Sequence, residues 1–211
     1  MDEPRGSGSA GPGTPARSTG TERGAARRRE LLEQVADDLV AHGLVGFSLR
    51  RAARAAGTTH KVLLYHFDSA EQLLTEAVLR LRRRRIDLGL AAAGAGPVRR
   101  PLADVVRALW TVLAGADDAE SRVLDAAVGL AMYDPDRHAE LARHASAEYL
   151  PPLMSLCPPG WPEQRRLEVA ELVLATLRGF LIDWRTSRDE AGVAAGFAAL
   201  ARALEREEAA G

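Results

Sequence analysis

Cysteine, lysine, aromatic side chains and long apolar runs are all scarce in this sequence of 211 residues. Cys157 is the only cysteine, so the chain cannot close a disulfide within itself, which fits a reducing compartment. The longest uncharged run, residues 149–162, is shorter than the roughly 18 apolar residues of a membrane span and is broken by prolines. The first residues lack the apolar core of a signal peptide. We therefore expect a cytoplasmic protein that makes no contact with a membrane.

The remaining composition predicts helices and an uneven distribution of charge. Aromatics make up 5% of the chain, and alanine, leucine, arginine and glutamate dominate it, which favours an all-α fold. The formal net charge of −1 conceals a net +5 over residues 1–85 and a net −6 over the rest. A basic N-terminal part on an acidic body suits a protein that approaches phosphates with one end.

The rest of the chain is organised around residues 48–74, which read SLRRAARAAGTTHKVLLYHFDSAEQLL. Ser48 predicts the N-cap of a short helix, and Gly57 predicts the left-handed turn that ends it. Thr58 or Thr59 then caps a second helix over residues 60–67, and a third helix opens near Ser69. Helix, glycine turn and helix form the geometry of a helix-turn-helix, whose second helix enters the major groove of DNA.

This stretch resembles the DNA-binding core of the TetR family of bacterial repressors, whose pattern is roughly T-x-x-x-I-A-x-x-A-G-V-S-x-G-x-L-Y-x-H-F. Ser48 stands for the threonine and Thr59 for the serine. The identical positions are Ala53, Ala56, Gly57, Leu63, His66 and Phe67. The departures are Ala52 for the isoleucine, Lys61 for the second glycine and Leu64 for the tyrosine, beside which Tyr65 stands. The match covers about a tenth of the chain.

The resemblance implies a dimer that places two recognition helices in successive major grooves of double-stranded DNA, about 34–36 Å apart. His60 and Lys61 are expected at base edges, where Lys61 can donate to guanine O6 and N7. The residues expected to hold phosphates are Ser48, Arg50, Thr58, Thr59, Tyr65 and His66, with Arg51 as a further candidate. Leu63 and Phe67 are expected to be structural.

We predict three segments: a disordered arm at 1–22, a helix-turn-helix DNA-binding domain at 23–90 and a helical ligand-binding and dimerisation domain at 91–211. The arm consists mainly of Gly, Ser, Pro and Thr. A Gly-, Ala- and Pro-rich junction spans residues 90–101. The predicted helices outside the central stretch span residues 25–42, 70–85, 101–114, 118–133, 136–149, 162–187 and 190–207, with Pro151 and Pro152 interrupting the chain after the fifth.

The last two predicted helices carry apolar residues on more than one side, so part of that surface needs a partner. A second copy of the chain is the simplest partner, and TetR-like regulators are two-fold dimers through their last two helices. The predicted centre of this interface consists of Leu174, Leu177, Leu181, Phe197 and Leu200.

Large side chains in the C-terminal part are each expected in the core, but as a set they are candidates for lining a cavity for a small apolar ligand. They are Trp110, Met132, Tyr133, Tyr149, Met154, Phe180 and Trp184, with Arg178 or Asp183 available to orient the ligand. Such a ligand would favour a state in which the recognition helices are too far apart to bind the operator.

No catalytic residues, cofactor or metal site are predicted. His138 and His144 are six residues apart and do not share a helical face, and neither a phosphate-binding loop nor a GxSxG motif occurs. The sequence therefore indicates a DNA-binding repressor. A helical adaptor that uses its helix-turn-helix to bind protein is the alternative, and no constellation supports a small enzyme.

Overall fold

The computed structural model describes residues 18–94, 100–115, 119–142 and 145–210, and every regular element in these ranges is an α-helix. The helices are α1 (Ser18–His42), α2 (Leu49–Ala55), α3 (His60–His66), α4 (Ala70–Ala93), α5 (Leu102–Gly115), α6 (Ala119–Tyr133), α7 (Pro135–Ala142), α8 (Ala145–Leu156), α9 (Glu163–Thr186) and α10 (Glu190–Ala209). The predicted all-α fold is confirmed. None of the described helices is long and apolar enough to cross a bilayer.

The first helix begins earlier than the sequence predicts. Residues 18–22, which fall in the predicted disordered arm, are the first residues of α1, while residues 1–17 of that arm lie outside the described residues. Nucleating a helix is unfavourable, whereas each residue added to an existing helix gains one hydrogen bond. Because the buried Leu31, Val35 and Leu39 already stabilise α1, it extends toward the N-terminus at little cost.

Helix α4 runs through the start of the predicted domain junction. It ends at Ala93 with Gly94 as its C-cap, so Arg80 and Arg82 to Arg85, which are at the C-terminal end of the predicted helix over residues 70–85, lie in its middle. Alanine is a strong helix former, and Ala93 is buried against the core of the C-terminal helices. Gly89 of the same helix lies so close to α5 that a Cβ there would stand 3.1 Å from Leu109. Packing against α5 therefore keeps the end of α4 helical.

The predicted helix over residues 136–149 is wrong. Two helices, α7 and α8, occupy this region, with residues 143–144 between them outside the described residues. Pro151 and Pro152 lie inside α8 and do not interrupt it. Proline already has a helical φ, and the cost of its missing N–H groups is offset because Leu153 and Leu156 pack on the C-terminal core.

Two apolar cores hold the helices together, and they do not divide at residue 90. The first contains the inward residues of α1–α4 together with Val123, Leu124 and Ala127 of α6 and Leu141 of α7. The second joins α5, α9 and α10, with Cys157 and Trp161 from the loop before α9. The predicted DNA-binding segment thus shares its core with two helices of the predicted ligand-binding segment.

Ion pairs fasten α1 to α4 outside the first core. Glu33 of α1 binds both Arg80 and Arg84 of α4, and Arg84 also reaches Asp37 at 2.8 Å. At the other end, Arg28 holds Glu76 through hydrogen bonds of 2.6 and 2.7 Å. Part of the arginine run of α4 is therefore used for packing α1 within the chain.

We predict that the α1–α4 ion pairs weaken in acid. Burial raises the pKa of the Glu33 carboxyl, but the hydrogen bonds and charges of Arg84 and Arg80 lower it by more, so its net pKa lies below the ordinary 4.5. A depressed folded-state pKa gives stability that is present above the unfolded-state value and is lost as the pH falls through the folded-state value. The Tm of the wild type should thus fall more steeply from about pH 5 to pH 3 than that of Glu33→Gln.

Thermal melts followed by circular dichroism measure this difference. Asp87→Asn removes an exposed carboxylate from α4 and is the control, which should follow the wild type. Equal acid slopes for wild type and Glu33→Gln would show that the pairs do not stabilise the fold.

Candidate DNA-binding surface and internal cavity

The connection between α2 and α3 has the geometry of a helix-turn-helix. The amide of Thr58 donates to the carbonyl of Ala53 at 2.9 Å and that of Gly57 to Arg54 at 3.2 Å, which is a Schellman turn. Gly57 has φ 55°, a left-handed conformation that glycine adopts without strain. Thr59 then caps α3 by accepting from the amide of Val62 at 3.4 Å. The predicted turn and second N-cap are both present.

Helix α3 has one buried face, and its exposed residues are the polar His60, Lys61 and Tyr65 beside the apolar Val62 and Leu64. Leu63 and the following Phe67 are buried in the first core. His60, Lys61 and Tyr65 are exposed, and 84% of the surface of Tyr65 is accessible. The outward face thus presents an ammonium, an imidazole and a phenol, all able to donate hydrogen bonds.

The two remaining predicted positions of α3 and its flank are partly occupied within the chain. His66 is half-buried, with its ring centre 5.0 Å from that of Tyr65 at an angle of 84°. Its carbonyl oxygen accepts a hydrogen bond from Arg28 at 3.0 Å. Thr58 is also half-buried in the turn.

The predicted site residues of α2 differ in their availability. Ser48 is exposed, and its hydroxyl oxygen accepts from the amide of Arg51 at 3.3 Å, which leaves its O–H to donate. Arg50 is exposed. The guanidinium of Arg51 instead binds Asp38 at 2.6 Å and the carbonyls of Gly43 and Val45 at 2.8 and 3.1 Å. Arg51 therefore holds the α1–α2 turn and is not available to a phosphate, so that expectation is wrong.

We predict that substitutions of two neighbouring arginines of α2 have very different effects on the free energy of unfolding. Arg51→Gln leaves the Asp38 carboxylate, whose side chain is 8% exposed, with only the exposed His42 ring beside it, and should lower the free energy of unfolding by about 3 kcal/mol. Arg50→Gln should change it by less than about 0.5 kcal/mol because Arg50 is at the surface. Urea unfolding measures both. Equal stability of the two variants would contradict this assignment of Arg51.

A cavity of about 630 Å³ lies among α4, α5, α6, α8 and α9. Leucine is the commonest residue of its lining, and these leucines include Leu109, Leu124, Leu153 and Leu177. The lining residues at one end, among them Val128, Met132, Ile182 and Thr186, are exposed, so the cavity opens between α6 and α9. This volume is within the range of small-molecule sites in proteins.

Of the predicted pocket residues, Met132, Tyr149 and Arg178 line the cavity. The others do not. Trp110 packs against Phe180 and Phe197 with ring centres 6.0 and 6.4 Å away. Tyr133 and Asp183 are exposed, Trp184 lies under the guanidinium of Arg188, and Met154 is half-buried outside the lining. Those predictions are wrong because side-chain size alone does not indicate which face of a helix meets the cavity.

Sequence reasoning missed the polar part of this lining. Arg82 and Arg85 of α4 both border the cavity, as does Ser146 of α8. A signal was present, since positions 82, 85, 86, 89 and 90 share one helical face on which two arginines precede apolar or small residues.

Most of the residues predicted for the centre of the dimer interface lie inside the single chain. Leu174, Leu177, Phe197 and Leu200 are buried within the single chain, and Leu181 is half-buried at the cavity. Helix α5 and the cavity wall use the apolar surface that the sequence assigned to a second copy. The outward apolar and small residues of α9 and α10 include Leu172, Ala175, Gly179, Ile182, Ala194, Ala195, Ala198 and Ala199, and exposed charges such as Glu168, Glu171, Arg202 and Glu205 accompany them.

No group of three or more potential metal ligands occurs among the described residues. Two candidate functional sites remain. One is the exposed face of α3 in the helix-turn-helix, and the other is the cavity among α4, α5, α6, α8 and α9.

Comparison with known proteins places this fold. No protein-family model matches the chain, and no curated protein is similar to it. Solved structures are similar over most of its length. A protein of Streptomyces coelicolor A3(2) that is assigned as a transcriptional regulator is 26% identical, with a TM-score of 0.64 over 83% of this chain and 96% of its own.

Two further structures extend this similarity at lower identity. A TetR-family transcriptional regulator from Cytophaga hutchinsonii is 16% identical, with a TM-score of 0.64 over 87% of this chain and 95% of its own. The multidrug binding protein EbrR, complexed with imidazole, is 17% identical, with a TM-score of 0.60 over 83% and 93%. The chain thus has the fold of the TetR-family transcriptional regulators, and the resemblance seen in the helix-turn-helix is confirmed at the level of the fold.

Proposed function

We propose that the protein is a dimeric, sequence-specific DNA-binding repressor of transcription that a small ligand releases from a palindromic operator. The observation that carries this proposal is the exposed polar face of α3, set by a glycine turn behind a buried Leu63 and Phe67. The similar fold of transcriptional regulators supports it.

The residues of that face have the chemistry of a DNA contact. Lys61 and His60 stand in the first turn of α3, where residues of a recognition helix contact base edges. The N-cap hydroxyls of Ser48 and Thr59, the phenol of Tyr65 and the free guanidinium of Arg50 are suited to phosphate oxygens. Base contacts then give sequence preference, and phosphate contacts give orientation.

A gel shift on the DNA upstream of the protein's own coding sequence, with and without unrelated competitor DNA, tests the function. Binding that survives the competitor supports a sequence-specific regulator. If the folded protein binds neither DNA at low salt, the helix-turn-helix serves another purpose, such as binding a protein partner.

We predict that Lys61→Ala weakens specific binding. If Lys61 contacts a base, the loss should be about 1–3 kcal/mol and confined to the preferred sequence. If it contacts a phosphate, all sequences should weaken alike, and the slope of log K against log salt should fall by about one. Fluorescence anisotropy over a salt series separates the two cases. Arg83→Gln removes an exposed cation from α4 and is the control; unchanged affinity of Lys61→Ala at every salt concentration would contradict the assignment.

The outward face of α9 and α10 is the surface that we propose for dimerisation. Its residues are small where the helices need to approach closely, and Leu172 and Ile182 add exposed apolar area at 44% and 64% accessibility. A Cβ placed on Gly179, in the middle of this face, would meet nothing within 4 Å. Burying such a face against its two-fold copy yields a four-helix interface.

We predict that Gly179→Arg gives a folded monomer. The open space above Gly179 means that the new side chain does not disturb its own protomer, but it would collide with a second copy. Gly160→Arg, at an equally open position in the loop before α9, is the matched control and should remain dimeric. Light scattering should give 22.6 kDa for the first variant and twice that mass for the control. A dimeric, folded Gly179→Arg would place the interface elsewhere.

The proposed ligand acts through the helices that the cavity shares with the first core. Leu124 of α6 lines the cavity and also belongs to the core beneath α1–α4. A ligand that prefers one position of α4 and α6 shifts the orientation of the recognition helices by its difference in affinity for the two states. The similar structure of EbrR, a multidrug binding protein, supports a ligand role for the cavity.

A further inference from the structure

On two of the helices that line the cavity, α4 and α8, the polar residues of the wall are separated from the apolar ones. On α4, Arg82 and Arg85 precede Ile86 and Leu90, and on α8, Ser146 and Tyr149 precede Leu153 and Leu156. On each of these two helices the polar groups of the wall therefore come before its hydrocarbon groups in the chain. Such a lining suits an amphipathic molecule better than a uniformly apolar one.

The polar groups form one cluster with α9. Arg178 of α9 donates to the Ser146 hydroxyl at 2.9 Å, and its guanidinium lies 5.7 Å from the centre of the Tyr149 ring. Arg82 lies within the range of electrostatic interaction with Tyr149 and Arg178, and Arg85 lies within that range of Tyr149. Three cations from two helices thus surround one polar end of the cavity.

Acidic groups do not balance these cations. The carboxylate nearest to Arg82 is Glu148, whose oxygen is 3.8 Å from a guanidinium nitrogen. Asp125, which lines the cavity elsewhere, binds Arg185. Among the residues that the structure describes, no carboxylate forms a salt bridge within 4.0 Å of Arg85 or Arg178. The cluster keeps an excess of positive charge.

Two of the arginines are buried with hydrogen-bonding capacity to spare. Arg82 is 2% exposed and Arg85 is 9% exposed. Arg82 donates to the carbonyl of Leu141, and Arg85 donates to Ser121 at 2.6 Å. One terminal nitrogen of each is buried and has no hydrogen-bond partner among the described residues. Burying a cation is costly unless it is fully paired. Beyond the distant Glu148, these two arginines have no carboxylate partner among the described residues, so an additional anion would stabilise them.

Burial also makes the charged form of the arginines in this cluster less favourable. It is the main cause that lowers the pKa of both Arg82 and Arg178 below the ordinary value of the guanidinium. An anion between them would offset that cost and strengthen the charged form. A cationic headgroup would add to the repulsion.

We propose that the cavity binds an amphipathic anion, whose carboxylate or phosphate headgroup lies among Arg82, Arg85 and Arg178 and whose hydrocarbon chain lies along the leucines of α5, α8 and α9. Arginine presents a planar fork of donors that matches the oxygens of either headgroup. The inference rests on the ligand-responsive function proposed above and names the class of ligand.

The same arginines connect the headgroup to the DNA-binding part. Arg82 ties α4 to α7 through the carbonyl of Leu141, and Arg85 ties α4 to α6 through Ser121. Leu141 and the neighbouring Val123 of α6 are part of the core beneath α1–α4. A bound anion attracts the same two guanidinium groups through their spare nitrogens, so it alters how α6 and α7 support that core.

Isothermal titration of the full-length protein tests the ligand class. The probes are straight-chain carboxylates, phosphates, alcohols and ammonium ions, matched in chain length from octyl to hexadecyl. We expect at least one anion to bind about tenfold more tightly than the alcohol of equal length, and the ammonium ion to bind more weakly than the alcohol. The tighter of carboxylate and phosphate identifies the headgroup. If no anion binds more tightly than its alcohol, or if the ammonium ion binds equally well, the proposal is wrong.

Variants assign the effect to the arginines. Arg85→Gln and Arg178→Gln should each weaken binding of the preferred anion about tenfold to a hundredfold and leave the affinity for the alcohol unchanged. Arg83→Gln, an exposed neighbour on α4, should bind as the wild type does. Arg82 is left intact because it also holds α7. Thermal melts check folding, and folded variants that bind the anion with wild-type affinity would overturn the proposal.

A gel shift without ligand separates this inference from the proposed function. Anion binding that depends on Arg85 and Arg178 in a protein without DNA affinity keeps the inference and refutes the repressor. DNA binding without such anion binding keeps the repressor and refutes the inference. If both hold, saturating anion should change the DNA affinity of the wild type and not that of Arg85→Gln.

Discussion

The placement of arginine on α4 is the constraint on which the rest of the structure depends. Arg80 and Arg84 point to the carboxylates of α1, whereas Arg82 and Arg85 point to the opposite side, toward α6, α7 and the cavity. Residues two apart on a helix cannot share a face, so the run of arginines is divided between two neighbours. One helix thus joins the DNA-binding part to the cavity through charge on both sides.

This division explains why the two functional regions share a core. The inward residues of α1–α4 would leave an apolar surface if the chain separated at residue 90, and Val123, Leu124 and Ala127 of α6 cover it. The arginine pairs set the distance of α4 from α1 and from α6, while the apolar contacts supply most of the burial energy. A movement of α6 therefore reaches the recognition helix through packed side chains, without requiring a hinge between independent domains.

Local patterns in the sequence predicted the parts that depend on local physics. The caps at Ser48 and Thr59, the left-handed Gly57 and the buried Leu63 follow from residue type and spacing, and all are present. Long-range packing decided the rest. Leu177 and Phe197 look identical in sequence whether they face a second copy or α5, and Trp110 could not be distinguished from a cavity residue. The continuation of α8 through Pro151 and Pro152 likewise depends on contacts that no local pattern contains.

The arginine run of α4 shows that a run of charges in a sequence does not indicate which of its residues are exposed. The same residue type occurs in an exposed run and in a cavity wall, and only the burial of each residue in the fold distinguishes the two. Arg83 is exposed, whereas Arg82 and Arg85 are buried. Because a buried cation without a full set of partners is costly, its presence in a folded chain has to be offset by burial elsewhere or by a ligand. Two such cations, with the half-buried Arg178 beside them, lie around one end of a largely apolar cavity. They are more than α6 and α7 need for attachment, and the excess is the physical reason for assigning an anionic headgroup to that end.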